Sequence, residues 1–205
     1  MGIKTSKVSI VLASASPRRK DLLRGLGLHF QIVPSTVDEV YLDCETPEDH
    51  VSRLALAKAL DVAERFPDDW VLGADTVVVI DQRILGKPKS RREARTMLAT
   101  LAGRSHEVFT GYAVVHSRFT ERQRLRYVRS IVHIRELTPQ QIAAYVRTGE
   151  PMDKAGAYAI QGIGSGIVER IEGSYTNVVG LPLCEVARDL KELDVFDFLK
   201  SDGKP

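Results

Sequence analysis

Apolar residues recur along this chain at two periods, one of two residues and one near 3.6, and the changes between them mark out its elements. Residues 8–13 (Val-Ser-Ile-Val-Leu-Ala) are a short β-rich run, followed by Ser16 and Pro17 and a leucine-bearing segment closed by Gly25 and Gly27. This reads as strand, turn and helix. His29 to Val33 reads as a second strand. Thr46-Pro47-Glu48-Asp49 opens a helix with an N-cap Thr, Pro at the first helical position and acids in the first turn. That helix is expected to run to about Phe66. Trp70 to Ala74 and Thr76 to Ile80 form one apolar stretch interrupted by Asp75, the pattern of a strand buried on both faces. Ser90-Arg91-Arg92-Glu93 is a capping box, with Ala94, Met97, Leu98 and Leu101 at helical spacing before Gly103.

From about Glu107 to Arg135 the alternation and β-branched content predict two long antiparallel strands joined near Arg118 to Glu121. Thr138-Pro139-Gln140-Gln141 caps a further helix ending near Gly149, and Gly156 to Gly180 holds six of the chain's 15 glycines around a β-rich stretch, Ile167 to Ile171. Leu183 to Leu193 is a last amphipathic helix. Strands and helices alternate without repeat or linker, so the expected fold is one α/β domain with a mixed, partly antiparallel sheet flanked by helices.

Composition narrows the function classes. At 205 residues the chain is long enough for one sizeable core and awkward for two. No apolar run approaches the roughly 18 to 20 residues that cross a bilayer, and no signal-peptide order is present at the N-terminus, so a cytoplasmic protein without membrane contact is expected. Met1 to Ser6 formally fits an N-myristoylation pattern, but three of its six positions are unconstrained and lipidation is not expected. Cys44 and Cys184 are the two cysteines, too few for a disulfide framework and without zinc-ligand neighbours. With 29 Lys plus Arg against 27 Asp plus Glu, the net charge of +2 gives no general hold on nucleic acid. Any anion site must be local.

Three places carry such local chemistry. The first predicted helix begins with Arg18, Arg19 and Lys20, cations where the helix dipole is already positive. Ser14 and Ser16 add hydroxyls beside the free N–H groups of the first turn, a setting for phosphate or carboxylate; the alternative is arginines splayed into water. Asp75 lies inside an apolar strand, where it either pairs with a cation, binds a metal or works as a base. Lys58 falls on the inner stripe Leu54, Ala55, Lys58, Val62 of its helix, so it either snorkels to the edge of the core or ends at negative charge. Lys87, in Leu85-Gly86-Lys87-Pro88, could reach the same place or stay in water. The five histidines show no ligand spacing, which argues against a histidine metal site or triad. Arg122, Arg124 and Arg126 share a strand face, either as an RNA-binding stripe or as the wet side of a hairpin. No P-loop or Gly-x-Gly-x-x-Gly turn follows a strand.

Taken in order, these pieces resemble the Maf family of nucleoside triphosphate pyrophosphatases. Ser14-Ala15-Ser16-Pro17-Arg18-Arg19, Gly73-Ala74-Asp75-Thr76 and Lys87-Pro88 are similar to its N-terminal and central signatures. Asp153-Lys154-Ala155-Gly156-Ala157-Tyr158 with Gln161-Gly162, and Gly173-Ser174-Tyr175 with Val179-Gly180-Leu181-Pro182, are similar to its C-terminal half. The resemblance spans roughly residues 8 to 190. It implies a single elongated domain with a nucleotide cleft; that domain is expected to take up 1–205, with the ends 1–7 and 201–205 flexible. It also implies hydrolysis of a nucleoside triphosphate to monophosphate and pyrophosphate with a divalent metal, Mg²⁺ or Mn²⁺. By position, Asp75 would be the proton acceptor, Lys58, Lys87 and Glu39 further active-site charges, and Arg18, Thr76 and Gln161 the residues that distinguish substrates. Ser14, Ser16 and Arg19 would join them around the nucleotide. Asp75 and Glu39 are the carboxylates available for metal and for water activation, with the division between them open. The Asp-Lys-Ala-Gly-Ala-Tyr form is similar to the branch acting on dTTP and UTP and unlike the one preferring 7-methyl-GTP. The family is also associated with septum formation, so the alternative is a regulator that binds nucleotide without turnover. A homodimer is compatible with either.

Overall fold

The structure, a computed structural model, describes residues 9–197 and residue 199. The lipidation pattern and the expected flexible ends fall outside these residues. At the centre of the sheet is β3 (Trp70–Ile80), flanked by β1 (Ile10–Leu12) and by β5 (Ser105–Val115). Beyond β1 lies β2 (Gln31–Ile32), beyond β5 come β6 (Arg124–Ile134) and β7 (Val168–Glu172), and β4 (Arg83–Leu85) pairs with the end of β3. The β1 pairings are parallel and the others antiparallel. The sheet is therefore mixed, as expected from a crossover followed by a long hairpin.

Alternation along β3 sends its residues into two layers. Val71 joins Val11, Ala13, Ala113 and Val115 under α2 (Pro47–Ala63), whereas Trp70, Leu72 and Ala74 join Leu12, Tyr112 and Val114 under α1 (Pro17–Gly25) and α6 (Leu183–Glu192). Further along this second face, Val78 and Ile80 pack with α3 (Arg91–Leu101) and α4 (Pro139–Arg147). Both faces of β3 are covered, which is why its sequence is apolar nearly throughout.

Several elements differ from their sequence expectation. The second strand is two residues, not the five from His29 to Val33, and both are exposed; α2 stops at Ala63, short of Phe66. The short helix α5 (Tyr175–Val179) within the glycine-rich segment was unforeseen, because five residues are too few to show a helical period. At Ser90 half the capping box forms: its hydroxyl accepts from Glu93 N–H, but the Glu93 carboxylate takes the Lys89 amide. Thr138 and Gln141 complete a box at α4. Of the arginine stripe, Arg122 falls just before β6, in a single 3-10 turn, and the half-exposed Arg126 is wet but paired. Arg126 Nε lies 2.9 Å from Asp189 Oδ2 of α6, and Arg122 donates to the Leu193 carbonyl with its guanidinium over the Trp70 ring. Cys44 and Cys184 are free thiols, both exposed. Among the described residues no helix is long and apolar enough to cross a membrane.

Candidate active site

Two glycines let α2 lie directly on the sheet. A Cβ on Gly73 would sit 2.3 Å from the Ala55 carbonyl, and one on Gly111 2.3 Å from that of Val51. Any side chain there would push the helix away. Gly73 and Asp75 share the α2 face of β3, so this close approach brings Lys58, on the inner stripe of α2, onto Asp75. Lys58 Nζ donates to Asp75 Oδ1 at 2.7 Å and to Glu39 Oε1 at 2.5 Å. Glu39 comes from the irregular segment between β2 and α2. Lys58 and Asp75 are each about 6% exposed, so neither could be buried without the other. Lys87 approaches from beyond β4, its Nζ 3.8 Å from Glu39 Oε2. Burial would raise the Glu39 carboxyl, but its hydrogen bond to Lys58 and the charges of Lys58, Lys87 and Arg19 hold it below the usual carboxylate value.

On the opposite face of β3, Thr76 meets the start of α1. Ser16 caps this helix by accepting from Arg19 N–H, with Pro17 at the first position. Successive side chains of a helix lie about 100° apart, and Arg18 and Arg19 accordingly diverge. Arg19 turns inward and donates to four protein acceptors: the carbonyls of Gly180 and Ala74, at 2.8 Å each, and the hydroxyls of Ser14 and Thr76. Burial lowers its pKa, opposed by Asp75 and Glu39. Arg18 turns outward and pairs with Asp153 at 3.2 Å. Ser14 Oγ accepts from the Ser16 amide and from Arg19. With both acceptor positions used, its proton is left to donate.

These residues face a cleft of two continuous parts. One, of about 810 Å³ including its open mouth, is lined by Asp75, Thr76 and Gln161 together with Val78, Val108, Tyr158 and Val179. The other is lined by Ser14, Pro34, Ser35 and Lys58. Ser16, Arg18, Arg19, Glu39 and Lys87 border both. The ten residues assigned to the nucleotide site from the sequence thus all line this cleft, whereas Lys20, from the same cationic run as Arg18 and Arg19, does not. One end is cationic and hydroxyl-rich; the other has an apolar wall ending in an amide.

His50 is the site neighbour that sequence spacing did not reveal. It is 2% exposed, its Nδ1 lies 2.9 Å from Glu45 Oε2, its Nε2 lies 4.0 Å from Asp75 Oδ2, and Tyr41 stacks on its ring. Arg53 in turn grips Glu45 through Nε and Nη2. A second histidine alignment occurs at the far edge of the sheet, where Ser105 Oγ and Glu172 Oε1 flank His133 at 2.7 and 2.9 Å. It borders neither part of the cleft, and Arg170 occupies the same imidazole nitrogen at 3.1 Å.

Among the described residues no group of three or more His, Cys, Asp or Glu is gathered around a point that could hold a metal ion. Asp75 and Glu39, joined through Lys58, offer hard oxygen donors at one place. That suits Mg²⁺ or Mn²⁺, which take one or two carboxylates and complete their shell with water and phosphate oxygens.

Residues 9–193 match the model of a family described as Maf-like protein. A dTTP/UTP pyrophosphatase of Syntrophotalea carbinolica is 52% identical, the match covering 94% of this chain and 88% of that one. One of Moorella thermoacetica is 55% identical over 86% of this chain and 91% of its own. Among solved structures, a HAM1 protein from Coxiella burnetii overlaps 91% of this chain and 96% of its own, at a TM-score of 0.49 and 16% identity.

Proposed function

The chain belongs to the Maf family, and from that premise we propose that it is a nucleoside triphosphate pyrophosphatase that hydrolyses dTTP and UTP to the monophosphate and pyrophosphate. The observation that carries this reading is the Lys58-tied pair of carboxylates at the floor of a cleft with a cationic end and an apolar, amide-bearing end. The family match over 9–193 supports treating the chain as one such domain.

Each end of the cleft has work to do in this reaction. A triphosphate carries about four negative charges, which Arg18, Lys87 and the serine hydroxyls would meet. Arg19 would act chiefly by holding the Ser14 and Thr76 hydroxyls in place, since its own donors are directed at protein acceptors. Asp75 would orient the attacking water and accept its proton. Lys58, donating to its Oδ1, keeps that carboxylate aimed. Asp75 and Glu39 would hold Mg²⁺ or Mn²⁺, which when bound supplies charge neutralisation at the phosphates. At the other end, Gln161 both donates and accepts and would meet the O4 and N3–H edge that uracil and thymine share. Cytosine presents a donor in place of O4 and would leave a polar group mismatched.

Pyrophosphate release with Mg²⁺ or Mn²⁺ across a nucleotide panel tests the proposal. The highest kcat/KM is expected for dTTP and UTP. A best substrate of CTP or 7-methyl-GTP would overturn the branch, and tight binding without turnover would favour a nucleotide-binding regulator of cell division.

A further inference from the structure

Gln161 lies in a segment whose backbone is fixed on both sides by one hydrogen-bond network built around a buried tyrosine. Tyr145, on the inner face of α4 and 5% exposed, donates its hydroxyl to Glu150 Oε1 at 2.7 Å and accepts from the Ala159 amide at 3.1 Å. Glu150 in turn accepts from the amides of Ile163 at 2.9 Å and Gly164 at 2.8 Å. Lys154 Nζ ties the Glu150 carbonyl into the same loop. One carboxylate and one phenol thus hold residues 159, 163 and 164, and Gln161 spans the gap.

The packing leaves no slack. A Cβ on Gly162 would lie 2.6 Å from Glu150 Oε2, and one on Gly164 would lie 2.2 Å from the Ala159 carbonyl and 2.5 Å from the Tyr145 hydroxyl. Gly162 also takes a positive φ of 67°, which glycine adopts without strain. Burial would raise the Glu150 carboxyl, but the Tyr145 hydroxyl and the two amides bring it below its ordinary value, so it is ionised at neutral pH and accepts from all three donors. Neither Tyr145 nor Glu150 lines the cleft, whereas Tyr158, Ala159, Ile160 and Gln161 do. The Gln161 side chain is exposed to the cleft while its backbone is clamped. An amide that discriminates one hydrogen-bonding edge from another needs this combination, since a shift of the order of 1 Å removes the geometric penalty for the wrong base.

We propose that Tyr145 and Glu150 are positioning residues that set the pyrimidine selectivity of the cleft by holding residues 159–164, and with them Gln161, in register with the base. This rests on the reading of Gln161 as the residue that meets the base. The readout is the ratio of kcat/KM for UTP to that for CTP, with melting temperature measured alongside.

Tyr145→Phe keeps the ring packing and removes both hydrogen bonds; Glu150→Gln keeps the shape and replaces one acceptor oxygen by a donor that cannot face an amide N–H. The clamp predicts that each narrows the UTP-to-CTP ratio by about tenfold, mainly through a higher KM for UTP, with kcat for UTP within about threefold of the parent. Gln161→Ala should narrow the ratio at least as far. A ratio that falls in Gln161→Ala and stays intact in both clamp variants would overturn the inference and leave the role of Gln161 standing. A parallel loss on both nucleotides in the clamp variants would also overturn it, marking the network as support for the fold alone. A ratio unmoved in Gln161→Ala would show that the base is read elsewhere, and the inference would fall together with that reading.

Discussion

Lys58 joins a buried carboxylate, Asp75, to a half-exposed one, Glu39, so its removal separates catalysis from stability. In Lys58→Met, Asp75 and Glu39 lose their common partner, and melting temperature should drop at pH 7. Because the Glu39 pKa is held below 4.5 by Lys58, the stability from that pairing is present above 4.5 and is lost as pH falls through the lower, folded value. The gap between parent and variant should therefore shrink on acidification, as thermal melts from pH 7 to 3 would show; a gap that widened would contradict the pairing. Asp75→Asn keeps the volume and an acceptor for Lys58 but cannot take a proton. Turnover of UTP should fall by at least ~10²-fold with the fold retained, and near-parental turnover would exclude Asp75 from the chemistry. Lys58 and Asp75 were legible in sequence because each breaks an apolar period. Glu39 sits in an irregular segment with no period to break and entered through family resemblance. His50 was missed because its partners, Glu45 and Asp75, belong to a loop and a strand, and spacing along the chain does not show such a meeting.

The first turn of α1 shows what an element adds to its residues. In sequence the run Arg18-Arg19-Lys20 is one cationic cluster at a helix start; the helical turn splits it, sending Arg19 into the core and Arg18 to the cleft rim. The consequences for mutation are opposite. Arg19→Ala would leave the Ala74 and Gly180 carbonyls without this donor, each such loss costing about 1–3 kcal/mol, so a strong drop in melting temperature should accompany any loss of activity. Arg18→Ala removes a partly exposed ion pair worth about 0–1 kcal/mol and relieves about 0.3–1 kcal/mol of repulsion with the helix dipole. These nearly cancel. Its melting temperature should stay close to the parent's while kcat/KM falls, and the salt dependence of binding should weaken with the lost cation. An Arg18→Ala protein that melts early and keeps its activity would make this arginine structural and move the phosphate site elsewhere. The caps of this helix and of α2 and α4 were readable because Ser16-Pro17, Thr46-Pro47 and Thr138-Pro139 encode them locally. The direction each arginine takes depends on where β3 and Gly180 lie, which only the assembled fold supplies.

Across the whole molecule, the wall of the cleft is also the edge of a core, and one buried histidine joins them. His106 is 2% exposed, its Nε2 lies 2.7 Å from the Tyr158 hydroxyl, and its Nδ1 finds no hydrogen-bond partner among the described residues. Burial, with a smaller contribution from the charge of His133, lowers its pKa from 6.5 to about 4. The folded protein therefore refuses a proton that the unfolded chain accepts below pH 6.5. Above that pH no proton-linked cost is present, and stability is lost progressively as pH falls toward 4. A shift of this size corresponds to about 3 kcal/mol, a sizeable share of the roughly 5–15 kcal/mol that holds a domain together. The carboxylate cluster acts in a lower window. Glu45, brought to about 2 chiefly by its hydrogen bond to Arg53 against the opposing effect of burial, gives up its contribution between 4.5 and 2. His106→Phe removes the titrating group while keeping a ring against Tyr158. It should start less stable at pH 7, because the Tyr158 hydroxyl loses its partner, yet lose less on acidification from 6.5 to 4 than the parent does. Melting curves at half-unit pH steps would resolve the two slopes. If they run parallel through that range, protonation of His106 has no part in acid unfolding, and the loss comes from other titrating groups.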